Sequence, residues 1–219
     1  MIQDANVRLT TARKYQTELA TAGTTAEYIT LFETKIGELR AHDTAFNEAK
    51  NRKLELTDSQ KTQIKASQDV IKKFKAAAQI AFYGEKTVLK EFRIGLLIPG
   101  TVKQLSSELP YLKEVAGRYA ERLQAGGITA TDITMLETSA NELVAIDKEQ
   151  EGSKNAQKTQ KTVVDTAVKT VKEMMFKINK AAAIVFMHDK ARLNEFKSIF
   201  PKTKTKATDA GATETETNP

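Results

Sequence analysis

The amino-acid sequence repeats itself at a constant offset of 104 positions, without a gap. Tyr15 returns as Tyr119, Leu19 as Leu123, and the same shift relates the Glu91-Phe92 pair to its second occurrence. Roughly a third of positions match over about 80 residues, which is enough to treat the halves as copies of one unit. We expect residues 104 positions apart to occupy equivalent places, as in a fused homodimer with an approximate two-fold axis.

The composition predicts an all-α protein. Hydrophobic residues make up 40% of the 219 residues, and the chain contains only four Pro. Ala, Lys, Glu, Gln and Leu are plentiful, and these are the residues with the highest helix propensity. We therefore predict a tandem duplication of a helical-hairpin unit, in which each copy has three long helices and one short helix.

The boundaries of the first helix follow from its capping residues. In the first copy it runs from about Asp4 to Ala22, and Gly23 ends it because Gly adopts the left-handed conformation without strain. Its counterpart runs from about residue 102 to residue 125. Thr25 and Thr129 then serve as N-caps of the second helix, and Asp132 completes a capping box with Thr129.

Apolar residues at helical spacing define the second and third helices and their buried side. We expect ten of them to lie in the core: Phe32, Ile36, Leu39, Ile71, Phe74, Leu136, Leu143, Val171, Met175 and Ile178. The short fourth helix is predicted over residues 85–94, and its copy over residues 189–199.

The stretch between the second and third helices allows two interpretations. No Pro interrupts it in either copy, so one very long helix with a polar middle is possible. A helix of about 60 residues is rare in globular proteins, which favours a turn near Thr57-Asp58 and near Gly152-Ser153. We therefore predict a hairpin whose turn end projects past the first helix.

The repeat also sets the predicted domain boundaries. Residues 1–98 form the first helical repeat and residues 99–201 the second, with Pro99-Gly100 at the junction. Residues 202–219 are rich in Lys, Thr and Glu and contain almost no apolar side chains, which predicts a disordered tail. Deleting this tail is expected to leave stability unchanged.

Charge divides the predicted hairpin into two faces. The second helix is acidic in both copies and the third helix is basic, so we expect the two to lie against each other. The net charge is +6, and 26 of the 34 basic residues are Lys. A candidate basic face for weak phosphate binding consists of Lys61, Lys65, Lys72, Lys169, Lys172 and Lys180.

Four charged residues occupy core-register positions and form a candidate polar seam: Asp43, Lys50, Asp147 and Lys154. Buried polar groups can specify the pairing of helices, as they do in coiled coils. Exposure at the projecting end of the hairpin is the simpler interpretation, and it is the one that we favour.

Several functional classes lack support in the sequence. The chain has no Cys, and its two His residues occupy non-equivalent positions without the Glu-x-x-His spacing of a metal-binding bundle. We expect no metal, no cofactor and no catalytic residue. The longest apolar run, Ile94–Ile98, is too short to span a bilayer, and no secretory signal is evident at the N-terminus. These features predict a cytoplasmic protein without a transmembrane segment.

The best functional expectation is a non-enzymatic structural or interaction protein. It would present helix faces or hairpin tips to a protein partner or to a second copy of itself. The main alternative is weak, Lys-driven binding to nucleic acid or to an anionic surface, because Lys makes poorer bidentate phosphate contacts than Arg. A membrane-active helical protein is the third possibility.

Overall fold

The structure is a computed structural model that describes residues 1–197, and all regular secondary structure in that range is α-helical. The predicted fold class is therefore confirmed as far as helix content. The predicted tail, residues 202–219, lies outside the described residues. The helices are α1 (Ile2–Lys14), α2 (Gln16–Ala20), α3 (Ala26–Ala81), α4 (Lys86–Glu91), α5 (Val102–Arg118), α6 (Ala120–Ala125), α7 (Ala130–Val185) and α8 (Lys190–Glu195).

The predicted helical hairpins are wrong. Helices α3 and α7 each run without interruption for 56 residues, through the positions where turns were expected. Neither helix contains Pro, and Gly152 keeps a helical backbone in α7. A polar middle costs little helix propensity, because Lys, Gln and Glu are good helix formers. The apolar stripes toward the two ends of each helix then secure it by packing.

The helix boundaries follow the sequence repeat. Helix α7 begins and ends 104 positions after α3, and α8 begins and ends 104 positions after α4. Helix α1 stops at Lys14 and α5 stops at Arg118, which are equivalent positions. Equivalent sequences thus form equivalent secondary structure in both halves of the chain.

The chain divides into two compact units that combine parts of both sequence copies. Among the described residues, unit 1 contains Met1–Arg40 and residues 167–197, and unit 2 contains Ala41–Thr166. Helices α3 and α7 contribute residues to both units. Each unit therefore takes the beginning of one long helix from one copy and the end of the other long helix from the other copy.

The core of unit 1 consists of apolar residues from α1, α2, α3, α7 and the region of α8. Phe32, Ile36 and Leu39 of α3 are buried in this unit, and so are Val171 and Ile178 of α7. The predicted core register of the second helix is therefore confirmed. The buried residues predicted for the third helix of the second copy, which is the end of α7, also lie in this unit. Met175 is the remaining one of these, and it is buried.

The core of unit 2 is one connected cluster of buried side chains. Ile71 and Phe74 of α3 lie in the same cluster as Leu136 and Leu143 of α7, as predicted from their helical spacing. Helix α5 adds Leu105, Leu109, Leu112 and Val115 to the cluster. Burial of this apolar area is the main source of stability for the unit.

The predicted first helix is broken in both copies at an equivalent tyrosine. Tyr15 separates α1 from α2 with φ −114° and ψ 30°, and Tyr119 separates α5 from α6 with φ −117° and ψ 23°. These angles fall outside the helical range. The capping box at the start of α7 is confirmed, because the amide of Asp132 donates to Thr129 Oγ1 and the amide of Thr129 donates to the Asp132 carboxylate.

Candidate functional site

The polar middle of α3 contacts the polar part of α7 within unit 2. Gln60 Nε2 donates a 2.9 Å hydrogen bond to Asp147 Oδ1, and Gln63 Nε2 donates a 2.6 Å bond to Glu142 Oε2. Gln150 is buried, and its side-chain amide lies 3.3 Å from Thr57 Oγ1. These contacts form a set of amide, hydroxyl and carboxylate pairs that we call the polar seam.

Only one of the four predicted seam residues takes part in this seam. Asp147 is half-buried and accepts the hydrogen bond from Gln60. Lys154 is half-buried and pairs with Glu151 of its own helix, whereas Asp43 and Lys50 are exposed. The exposure of Asp43 and Lys50 agrees with the interpretation that we favoured from the sequence, and neutral amides donate the three hydrogen bonds that define the seam.

Sequence reasoning missed the amide partners, although a signal for them was present. Gln60 and Gln150 occupy the same core register as the charged residues that we singled out. A neutral amide at a core position can satisfy its donor and acceptor without the desolvation cost of a buried charge. Weighting amides above charges at those positions would have identified both residues.

A groove of about 360 Å³ lies beside the polar seam in unit 2. Arg52 of α3 and Glu149 of α7 stand at the groove as an ion pair with a 3.6 Å separation between nitrogen and oxygen. Leu56 is the buried apolar member of the lining. Small side chains at several positions of both helices leave this space open; the lining residues are Ala49, Arg52, Leu56, Glu149, Gly152, Ser153 and Ala156.

The six lysines of the candidate basic face are all exposed, but they belong to different compact units. Lys61, Lys65 and Lys72 lie in unit 2, whereas the remaining three, on α7, lie in unit 1. Lys61 pairs with Asp58 at 3.1 Å and Lys72 pairs with Asp69 at 2.7 Å, both within α3. Each unit therefore carries three of the six; the members on α7 are Lys169, Lys172 and Lys180.

The expected pairing of acidic and basic segments exists, but the partners come from different copies. Lys73, near the end of α3, forms a 2.6 Å ion pair with Asp132 at the start of α7. The Lys73 ammonium, together with the Thr129 amide, lowers the pKa of Asp132 below its ordinary value. An acidic second-helix segment therefore lies against the basic third-helix segment of the other copy.

Each unit contains a trio of aromatic rings formed by one tyrosine and two phenylalanines. In unit 1 the Tyr15 ring lies 5.0 Å from Phe186 and 6.0 Å from Phe196, measured between centroids. In unit 2 the Tyr119 ring lies 5.2 Å from Phe82 and 6.0 Å from Phe92. Equivalent residues thus make equivalent contacts, and in each trio the tyrosine and the phenylalanines come from different copies.

Unit 1 also buries an arginine whose charge is incompletely paired. Arg8 of α1 is only 2% exposed, and its Nε and Nη1 atoms have no hydrogen-bond partner among residues 1–197. Its Nη2 atom lies 3.8 Å from Asp4. Burial lowers the pKa of the Arg8 guanidinium, and the Asp4 carboxylate opposes this shift. The equivalent position in unit 2 is the buried Leu112.

Within residues 1–197, no group of three or more His, Cys, Asp or Glu side chains is arranged to hold a metal ion. No helix in the same range is both long enough and apolar enough to cross a membrane. Comparison with protein-family models, with curated proteins and with solved structures finds no match to this chain.

Proposed function

We propose that this chain is a non-enzymatic α-helical interaction protein that binds a protein partner, or a second copy of itself, through the groove in unit 2. The groove is the observation that carries the proposal. Small residues on α3 and α7 would allow a third helix to approach closely, as small side chains do wherever helices pack at short distance. The Arg52–Glu149 pair offers both signs of charge for orienting that helix.

The polar seam supports the proposal because its hydrogen bonds fix how α3 packs against α7. Hydrogen bonds such as Gln60–Asp147 favour one register of α3 against α7, because a shift would leave polar groups unpaired. A groove between two helices in a single register presents a constant surface to its partner. The other form of the prediction, recognition through hairpin tips, is not retained, because α3 and α7 have no turn where those tips were expected.

We further infer that the chain arose by duplication of one helical unit and its fusion in tandem. The shared helix boundaries and the two aromatic trios support this inference. In such a duplication, each copy supplies part of its long helix to both compact units. A cytoplasmic location remains a prediction of the sequence.

The proposed function is tested by placing a photo-activated cross-linking amino acid at Ala156, which lines the groove. The matched control carries the same amino acid at Ala145, an exposed position of α7 in the same unit. We expect one defined adduct at position 156, with a second copy in purified protein or with a single other protein in extracts of the source cells. The control should give neither adduct.

Two outcomes would contradict the proposal. Equal, diffuse cross-linking at both positions would show that the groove has no preferred occupant. A defined adduct at position 156 that survives the introduction of Ala49→Glu, which fills the groove with a charged side chain, would place the contact elsewhere. The alternative of weak phosphate binding is favoured by the exposure of Lys169, Lys172 and Lys180, and the DNA titration described below tests it.

A further inference from the structure

Unit 1 exposes a row of large apolar side chains at the end of α7. Phe176 is 61% exposed, Ile184 is 65% exposed, and Met187, in the turn that follows the helix, is 64% exposed. Phe176, Lys180 and Ile184 are spaced four residues apart, which places them on one side of the helix. We call Phe176, Lys180, Ile184 and Met187 the apolar-lysine stripe.

The stripe is not an unfinished part of the core. The other side of α7 already buries Met174, Ile178 and Ala182 within unit 1. Single exposed apolar residues are normal on protein surfaces, but three large ones within about three helical turns form a patch that favours contact with an apolar phase. The equivalents of Ile184 and Met187 in unit 2 are Ile80 and Tyr83, and both are also exposed.

The surroundings of the stripe are cationic. The Lys180 ammonium lies 5.3 Å from the centroid of the Phe176 ring, so a positive charge stands directly beside the largest apolar side chain. Lys172 and Lys177 are exposed next to Phe176 and line a shallow notch with it. Glu173 is the acidic residue in this lining, and it leaves the local charge positive.

We propose that the apolar-lysine stripe docks on a lipid bilayer surface that contains anionic headgroups. The stripe lies along the outer side of a single helix and is therefore convex, which suits insertion into an interface better than reception of another helix. Phe, Ile and Met side chains enter the boundary between headgroups and acyl chains, while Lys ammonium groups contact lipid phosphates. This surface is separate from the groove in unit 2 and goes beyond the proposed function.

The proposal is tested by vesicle flotation with the full chain. Vesicles of phosphatidylcholine alone are compared with vesicles that contain about one-third phosphatidylglycerol, because anionic lipid attracts each Lys. We expect binding to the anionic vesicles only, and weaker binding as salt is raised. Ile184→Ser combined with Phe176→Ser should reduce partitioning by about tenfold or more, because the apolar area that enters the interface is removed.

Matched variants separate the stripe from other surfaces. Val144→Ser removes a comparably exposed apolar side chain from α7 in unit 2 and should leave partitioning unchanged. Replacement of Lys202, Lys204 and Lys206 by Gln tests the basic residues beyond the described range and should have little effect. Circular dichroism checks that every variant retains its helix content.

Three results would overturn the proposal. The first is equal binding to zwitterionic and anionic vesicles, or no binding to either. The second is partitioning that disappears with the three tail substitutions but survives the change of Phe176 and Ile184. The third is a wild-type chain that self-associates but does not bind vesicles, together with a monomeric Phe176→Ser, Ile184→Ser variant. That result would identify a second copy of the chain as the occupant of the stripe.

Discussion

The hydroxyl of Tyr15 donates a 2.8 Å hydrogen bond to Glu195 Oε1, so it joins residues 180 positions apart in unit 1. Lys14 contacts the same carboxylate at 2.9 Å. In unit 2 the equivalent Tyr119 hydroxyl lies 3.3 Å from Glu91, whose carboxylate also accepts a 2.8 Å bond from Arg118. Each carboxylate therefore binds the residues at a helix break that belongs to the other sequence copy.

Removal of the Tyr15 hydroxyl should destabilise unit 1. We expect Tyr15→Phe to lower the free energy of unfolding by about 1–2 kcal/mol, because a hydrogen bond to a charged acceptor is lost while ring packing is kept. Urea denaturation measures the change. Tyr83→Phe is the matched control, because Tyr83 is almost fully exposed and should change stability by no more than about 0.5 kcal/mol. Equal effects of the two substitutions would contradict the role of the Tyr15–Glu195 bond.

The same carboxylate should make stability depend on acidic pH. The Lys14 ammonium and the Tyr15 hydroxyl hold the pKa of Glu195 below its ordinary value of 4.5. The unfolded state therefore binds more protons than the folded state between the two pKa values, so stability rises with pH in that window. This contribution is present above the ordinary value and is lost as pH falls through the lowered one.

Thermal unfolding of wild type and Glu195→Gln, measured from acidic to neutral pH, checks this prediction. The difference in stability between the two proteins should be largest near neutral pH and should shrink as the pH falls below 4.5. A difference that stays constant over the whole range would show that Glu195 contributes through packing rather than through its charge.

Replacing the buried, incompletely paired Arg8 with an apolar residue should stabilise unit 1. We expect Arg8→Leu, made together with Asp4→Asn so that no carboxylate loses its cation, to raise the free energy of unfolding by about 1–4 kcal/mol, because replacing a buried ion pair with uncharged side chains is often stabilising. Leu112 already fills the equivalent buried position in unit 2. Chemical denaturation gives the measurement.

Arg13→Leu provides the control, since Arg13 is an exposed residue of the same helix that pairs with Glu33. Its effect should stay within about 1 kcal/mol, the usual limit for a surface ion pair. A loss of stability in the Arg8→Leu, Asp4→Asn variant larger than that in the control would show that the guanidinium is better satisfied than its contacts indicate.

Gly152 distinguishes a continuous α7 from a helical turn. Outside the adjacent backbone of α7, a Cβ at this position would meet no atom of residues 1–197 within 4 Å, so Gly152→Ala should stabilise the protein by about 0.5–1 kcal/mol through helix propensity. Gly152→Pro should destabilise it by about 3 kcal/mol or more, because Pro removes a backbone hydrogen bond and clashes with the preceding turn. Differential scanning calorimetry of both variants measures these changes. A melting temperature of Gly152→Pro close to that of wild type would indicate a turn at this position.

Binding of duplex DNA should be weak. The six lysines of the candidate basic face are divided between two units, and two of them already pair with aspartates of their own helix. We expect dissociation constants no tighter than the nonspecific range of about 10⁻⁴ to 10⁻⁶ M at physiological salt. Titration of labelled DNA at two salt concentrations measures this. Submicromolar, salt-sensitive binding that is lost on changing Lys169, Lys172 and Lys180 to Gln would replace the proposed function with nucleic-acid binding.

Local sequence was sufficient to predict the helical class, the buried register of the apolar stripes and the capping box at the start of α7, although not the helix boundaries. The spacing of Phe32, Ile36 and Leu39 identifies one side of a helix whatever lies against it, and that side is buried. The Thr129–Asp132 capping box forms because its partners are three residues apart. Patterns of this kind depend on helix geometry alone, so they can be recognised without knowledge of the packing partner.

The breaks at Tyr15 and Tyr119 and the amide contacts of the polar seam depend on distant residues. Nothing in the local sequence around Tyr15 requires the helix to stop there. The contacts made at the break are with distant residues: the Tyr15 ring packs on Phe186, and its hydroxyl donates to Glu195. Gln60 likewise contacts Asp147 only because α3 lies beside α7. The placement of such polar groups depends on which helices meet and in which register.

By itself, the sequence determined that the chain is helical and which apolar side of the long helices is buried. Only the tertiary structure decided that α3 and α7 continue through their polar middles and that each unit combines segments of both copies. The physical reason is the repeat: a second helix can pack with the third helix of its own copy or with that of the other. Those two arrangements bury nearly the same apolar stripes, as in domain swapping, so helical periodicity cannot distinguish them.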